Sequence, residues 1–325
     1  MALNRICKLA AAAAFLAASL TSVWAQDAFP TRSLRIVVPT SPGSGSDIVG
    51  RFFAEQLSTV LGQSVVVENR AGGNGVIAAM AVKQAPADGY TLFLGTNTHL
   101  AVNPVVIKDI PYDALKDLKP ISGLTRGMMV LIAAESNPRL KTLSEFVQAG
   151  RDSQKKLNVG SYTAGFHLSA EWFGAITKTQ HVNVPYRGAP EVFLALLGNQ
   201  IDWAVSDLIA AMPQVRSGKL RALAVTGDVR HPDYPEIPTA KELGYPEYVN
   251  YTWTTLTVRS ETPEAVTNRL VDAVQKVLAM PITKEFTRKI GSDPLNLATG
   301  DMRRFQMSEM ERFRAVAISA GIKPQ

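Results

Sequence analysis

The sequence is poor in the residues that most reactive sites need. One cysteine and four histidines occur in 325 residues, and the cysteine, Cys7, lies ahead of the first apolar stretch. Beyond residue 25 there is no cysteine, which excludes disulfides, a thiol nucleophile and a Cys-ligated metal from that part of the chain. The histidines, His99, His167, His181 and His231, stand far apart with no metal-ligand spacing. Acidic residues are plentiful, but none forms a pair that the sequence alone assigns to one site. Long apolar runs are equally scarce. The stretch from Leu9 to Val23 covers about 15 residues against the roughly 20 that a membrane span needs. Arg5 and Lys8 precede it and Val23-Trp24-Ala25 closes it with small residues at the positions a signal peptidase reads. Residues 1–25 are therefore read as a cleaved secretory signal, and a soluble chain is expected beyond them.

Charge of one sign is also in short supply. The formal net charge is +6, from 34 Lys plus Arg and 28 Asp plus Glu, and losing Arg5 and Lys8 with the leader lowers it by two, to +4. No basic run with interleaved aromatics appears, so nucleic acid is excluded as a partner. The hydrophobic content of 46% supports a globular chain. Its length favours two domains over one.

What is present is an alternation of short apolar runs and longer helical patterns. Strands are expected at 34–38, 64–67, 91–94, 157–159, 182–184, 203–205 and 220–225. Helices are expected at about 46–61, 75–85, 142–150, 167–178, 189–198 and 207–217, then at about 263–279, 282–290 and 300–318 with little strand between them. Such alternation implies α/β layers with mostly parallel sheet. Thr142 stands three residues before Glu145 in a capping-box arrangement, and Thr262-Pro263-Glu264 places proline at a first helical position. The proline-rich segment 231–248 reads as an extended excursion.

Three loops of small residues each follow a strand and open a helix. In the first, Pro39-Thr40-Ser41-Pro42-Gly43-Ser44-Gly45-Ser46-Asp47, open backbone N–H groups meet the positive end of a helix, which favours an anion. It lacks the lysine of a phosphate loop and the spacing of a dinucleotide fingerprint, and Ser44 is not framed as a nucleophile elbow. The alternative is a turn in which Ser46 or Asp47 caps the helix. The second loop, Gly160 to His167, carries hydroxyls and glycine; His167 either donates to an anion or stands as an ordinary helix-start residue, and the pattern favours the latter. The third is Ala71-Gly72-Gly73-Asn74-Gly75. Anion-friendly loops without an acid-base or nucleophile set point to binding and away from catalysis.

In order along the chain, these loops and their neighbours resemble the Bug family, the periplasmic solute receptors of tripartite tricarboxylate transporters. The resemblance rests on Ile36-Val-Val-Pro39 with Pro42-Gly43 and Asp47, Val66-Val-Glu-Asn-Arg70, Ala87-Asp-Gly-Tyr-Thr-Leu92 and Leu94-Gly-Thr96. It continues through Val184-Pro-Tyr-Arg-Gly-Ala189, Gly198-Asn-Gln-Ile-Asp202, Ser217-Gly-Lys-Leu-Arg-Ala222 and Ile237-Pro-Thr239. It implies an α/β type II periplasmic binding protein: two lobes joined by crossing hinge strands, with a ligand cleft between them. Lobe one would take 27–125 plus 254–325 and lobe two 126–253. Carried over by position, Ser41, Gly43, Ser44 and Asp47, with Thr96 and Asn97, would form the lobe-one wall. Ser161, Thr163 and His167 would form the lobe-two wall, and Ser206 and Asp207 would meet the distal end of a small organic carboxylate. The departures are Thr40 in place of an aromatic, Ser44 in place of a second glycine, Ala71 for proline, and Ser206 where aspartate is common.

The expected protein is a monomer that is not an enzyme, holds no cofactor or metal, and hands its ligand to membrane permease subunits. The rival readings are presentation of a ligand to a sensor kinase, a secreted hydrolase using Ser44 or Ser161, and the effector domain of a transcription regulator. The signal peptide and the missing DNA-binding helices oppose the last.

Overall fold

The computed structural model describes residues 29–152 and 156–324, so the segment read as a secretory leader, residues 1–25, lies outside the described residues. From Arg32 onward the chain forms one compact unit. Strand β1 (Leu34–Val38) is an apolar run buried along nearly its whole length, as expected of a parallel strand covered on both faces. It pairs in parallel with β2 (Val65–Asn69) and β3 (Thr91–Thr96). Helix α1 (Gly45–Leu61) crosses from β1 to β2 and stops at Gly62, whose left-handed φ of 67° lets its N–H close on Ser58 O. Helix α2 (Val76–Lys83) returns to β3, after which a π-helical turn (Thr98–Val102) runs into the short α3 (Asn103–Val106).

The second half repeats this plan. Strand β5 (Leu157–Ser161) pairs in parallel with β6 (His181–Pro185) and β7 (Trp203–Asp207), and β8 (Leu220–Val225) lies antiparallel on the long strand β4 (Leu118–Ala134). Helices α4 (Leu143–Gly150), α5 (Ala164–Thr177), α6 (Ala189–Leu197) and α7 (Leu208–Arg216) connect these strands.

Two antiparallel strands cross between the halves. Strand β4 (Leu118–Ala134) is 17 residues long; Leu118 to Met128 pair with β9 (Tyr251–Arg259), and Met129 to Ala134 pair with β7 or β8. The sheet order is β2-β1-β3-β9-β4-β7-β5-β6, so the crossing pair stands at the centre. After β9 come α8 (Glu264–Ala279), α9 (Pro281–Lys289), a short β10 (Ser292–Pro294) against β4, and α10 (Thr299–Ser319). Trp253 Nε1 donates to Glu309 Oε2 at 3.0 Å, which ties α10 to the crossing strand β9.

Each half has its own apolar core. One gathers Phe93, Trp253 and Phe313; the other gathers Phe146, Phe173, Trp203 and Tyr248. Trp203 is fully buried, with its ring 4.6 Å from Phe146 and 5.5 Å from His181.

The capping box at Thr142 is present in both directions: Glu145 N donates to Thr142 Oγ1 and Thr142 N donates to Glu145 Oε2, each at 3.1 Å. Thr142→Ala is expected to cost about 1 kcal/mol of stability in urea titration, and an unchanged midpoint would show that the cap is idle. Other local expectations need correction. Helix α1 starts at Gly45 with Ser44 as N-cap, and the Ser44 side chain caps nothing on its own helix. Pro263 occupies the N-cap position of α8, one place earlier than expected. The crossing strands β4 and β9 and the short β10 have no counterpart among the strands read from the apolar runs. In β9 the interior positions include Thr254, Thr255 and Thr257, all buried, so polarity does not mark the faces. In β4, Pro120, Gly123 and Gly127 interrupt the period.

Candidate functional site

Strands β1, β3, β5 and β7 all end at the same interior space, the carboxyl-end position where open α/β sheets place their ligands. The space is lined by Thr40, Gly45 and Ser46 at the start of α1, by the run Thr96 to His99, and by Tyr162, Thr163 and Phe166 around the start of α5. Asp207 closes it from the end of β7, and Thr125 and Thr254 reach it from the crossing strands. Among the described residues the lining holds no lysine or arginine. The cavity is about 30 Å³, room for about two waters.

The closeness follows from direct bonds between the first half and the second. Ser41 N–H donates to Arg187 O at 3.3 Å, and Ser41 Oγ donates to Glu191 Oε1 at 3.1 Å. Ala189 N–H donates to Ser44 Oγ at 3.0 Å, so the Ser44 hydroxyl serves the start of α6. The hydroxyls of Thr98 and Thr163 meet at 3.0 Å. Glycine makes two of these approaches possible. A Cβ on Gly188 would stand 2.6 Å from Ser41 Cβ, and one on Gly45 would stand 2.6 Å from both Cγ and Oδ2 of Asp207.

Asp207 is the electrostatic centre of the site. Its carboxylate lies against the first residue of α1 and accepts from Gly45 N–H, while Tyr162 OH donates to Oδ2 at 2.7 Å. The 17-residue helix adds partial positive charge at this end. Burial nevertheless dominates and pushes the Asp207 carboxyl up to about 6, against the opposing pull of those hydrogen bonds. Burial also raises the Tyr162 phenol, with the Asp207 charge adding to it, so Tyr162 stays neutral, donating to Asp207 Oδ2 and accepting from Asp207 N–H at 3.2 Å. His99 shares Nδ1 with the Thr96 hydroxyl at 3.0 Å, and burial lowers its pKa to about 3.

The residues selected from sequence divide into three groups. Thr96, Asn97, Thr163 and Asp207 line the cavity together. Ser41 and Ser44 bridge the rim, and Ser206, fully buried, lies behind the cavity with its hydroxyl 3.2 Å from Tyr162 OH. The others face elsewhere. Asp47 accepts from Gly43 N–H, Arg51 Nε and Asn69 Nδ2, so it and Gly43 brace the loop from behind. Ser161 Oγ donates to Asn183 Oδ1 at 2.6 Å. His167 departs most from the lobe-two wall. One helical turn into α5, it stands beside Asn74 and Val106 in a separate groove, and its Nε2 is 3.2 Å from Glu171 Oε1. Burial raises the Glu171 carboxyl, but His167 and His181 both hydrogen-bond to it and bring its pKa to about 2.

Sequence reasoning passed over Tyr162, Thr98 and the hinge threonines. Tyr162 lay inside the second loop and carried a signal, since a phenol between Ser161 and Thr163 is one more donor at a helix start. The others had no local signal, because only the crossing of β4 and β9 brings Thr125 and Thr254 here. A hydrolase finds no support: the hydroxyls of Ser44 and Ser161 bond to a backbone amide and an asparagine, and neither has a histidine partner.

Residues 49–322 match the family model described as tripartite tricarboxylate transporter family receptor. The chain belongs to that receptor family. BugT of Bordetella pertussis is 32% identical over 302 residues, covering 91% of this chain and 92% of its own. An R. palustris protein solved with adipate superposes with a TM-score of 0.88 at 32% identity, over 91% of this chain and all of that one. MatC from Rhodopseudomonas palustris, solved with bound malate, gives a TM-score of 0.84 at 29% identity over 89% of this chain and 99% of MatC. These likenesses make the fold that of a two-lobed periplasmic binding protein and the chain a solute receptor, not an enzyme. Among the described residues no helix is long and apolar enough to cross a membrane.

Proposed function

We propose that this receptor works in the periplasm, where it captures a small organic carboxylate between its lobes and delivers it to the permease of a tripartite tricarboxylate transporter. Lobe one is assigned 27–125 plus 254–325, and lobe two 126–253, with β4 and β9 as the hinge. Opening admits the ligand and closure excludes water from it.

The observation that carries the reading is the wall of neutral donors around the start of α1. The backbone N–H groups there, the hydroxyls of Thr96, Thr98 and Thr163, and the Asn97 amide all reach the cavity without a cationic side chain. A carboxylate held this way gains charge-assisted hydrogen bonds that strengthen as the lobes shut out solvent. Ser41 and Ser44 act at the rim, holding the closed form together. Asp207 forms the distal wall, with Ser206 behind it against the Tyr162 hydroxyl. The adipate and malate in the two related structures support a carboxylate as the ligand class.

A panel of mono- and dicarboxylates in a thermal-shift assay tests this. A true ligand at 100 times its Kd is expected to stabilise the protein by about 2.7 kcal/mol, with the shift growing with the logarithm of concentration. A folded protein whose melting curve no carboxylate moves would refute the reading.

A further inference from the structure

Among its described lining residues the cleft contains one acid and no cationic side chain. Asp207 is the single charged side chain among the cavity's described lining residues, and the other titratable groups facing it are Tyr162 and His99, both neutral. Two further acids stand nearby, but both are engaged outside the cavity. Asp47 is bonded to Arg51, Asn69 and the Gly43 amide, and Glu191 at the rim accepts from Ser41 and from Arg187 N–H.

On the receptor reading above, on which this inference rests, a ligand carboxylate enters the same space and faces the start of α1. The Asp207 carboxylate already lies there against Gly45. Two carboxylates confined together in a dry, low-dielectric site do not both stay ionised. A proton shared between them removes the repulsion and adds a short O–H···O⁻ hydrogen bond. We propose that the receptor captures its carboxylate together with one proton, which Asp207 holds against the ligand. The proton comes from solvent as the lobes close, forms an O–H bond at Oδ1, the oxygen not bonded to Tyr162, and returns to solvent on opening.

The direction of the pH dependence follows from burial. Enclosure alone lifts the Asp207 carboxyl to about 6, and a second anion beside it lifts it further. Above that pH the open form carries Asp207 ionised, so capture takes up close to one proton. Each unit rise in pH then weakens capture about tenfold. The amide introduced by Asp207→Asn cannot take up the proton, so that variant binds with a flat pH profile.

The experiment is isothermal titration with malate, adipate and lactate, each in two buffers of different ionisation heat, from about pH 6.5 to 8.5. The expected result is uptake of about one proton per bound acid and a tenfold affinity loss per pH unit in the native protein, with both absent in Asp207→Asn. Binding without proton uptake overturns the proposal, as does uptake that persists in the variant. Two kinds of failure are distinguishable. If no member of a broad carboxylate panel binds the folded protein, the carboxylate-receptor reading has failed. If an acid binds without proton uptake, or with uptake that Asp207→Asn retains, the receptor reading stands and the proton-holding role has failed.

Discussion

Gly45→Ala is expected to lower carboxylate affinity about 100-fold while leaving the melting temperature within a few degrees of the native value. The two effects separate because the atoms nearest the new methyl group all belong to Asp207, in the opposite half of the molecule. Gly45 is the first residue of α1 and has no left-handed φ, and alanine is the better helix former by up to about 1 kcal/mol. Its own half of the fold therefore accepts the change. Across the cleft the Cβ would lie 2.6 Å from the Asp207 carboxylate and 2.9 Å from its Cβ, well inside contact distance. Closure would have to stop short, and the donors around the start of α1 would stay wet. A loss of two orders of magnitude corresponds to about 2.7 kcal/mol, less than the several hydrogen bonds that closure completes. Titration calorimetry with whichever acid shifts the native melting curve checks this, and an affinity within threefold of native would contradict the role assigned to this contact.

The largest expected loss of stability lies elsewhere, at Trp203. It is fully buried at the start of β7, flanked by Phe146, Phe173 and His181. Trp203→Ala removes the largest side chain of that core and is expected to cost about 3–5 kcal/mol in urea titration. Trp203→Phe is expected to cost much less. The Trp203 Nε1 has no hydrogen-bond partner, so phenylalanine removes a buried unpaired donor, which offsets part of the lost packing. If the two variants unfolded at the same denaturant concentration, the ring volume would not be what matters here.

How much of this was legible in the sequence depends on whether the signal was local. Apolar runs such as Leu34 to Val38 marked strands because covered parallel strands are apolar on both faces. The capping box at Thr142 was legible because its partners lie three residues apart. At the cavity wall, Thr163 lay in a loop that its own residues marked, whereas Thr96, Asn97 and Asp207 were reached through the family resemblance. The wall was not legible at Thr98, Thr125 or Thr254, whose place depends on pairings distant in sequence. Buried threonines made β9 look like a polar segment. Ser46 and Asp47 were read as caps because capping is the common fate of such residues at a helix start, but Ser44 holds the N-cap position and the Ser46 hydroxyl meets that of Thr40. The opposite half of the molecule claimed the Ser44 hydroxyl, and Arg51, Asn69 and Gly43 claimed the Asp47 carboxylate. The pattern favoured His167 as an ordinary helix-start residue, and it is one; the wall position came from the resemblance, and one turn along the helix aims the ring into another groove.

The central position of β9 has a consequence in time. Strand β3 pairs on one side with β1, and its other edge is closed only by Thr254 to Thr257 of β9. These residues follow β3 by more than 150 positions. At synthesis rates of about 5–20 residues per second, the apolar edge from Phe93 to Thr96 waits on the order of 10 s for its partner. Through that interval the N-terminal strands have an open, hydrophobic edge of the kind that other chains can join. A helper that shields extended apolar segments would have most to do with this protein before its last quarter has been made.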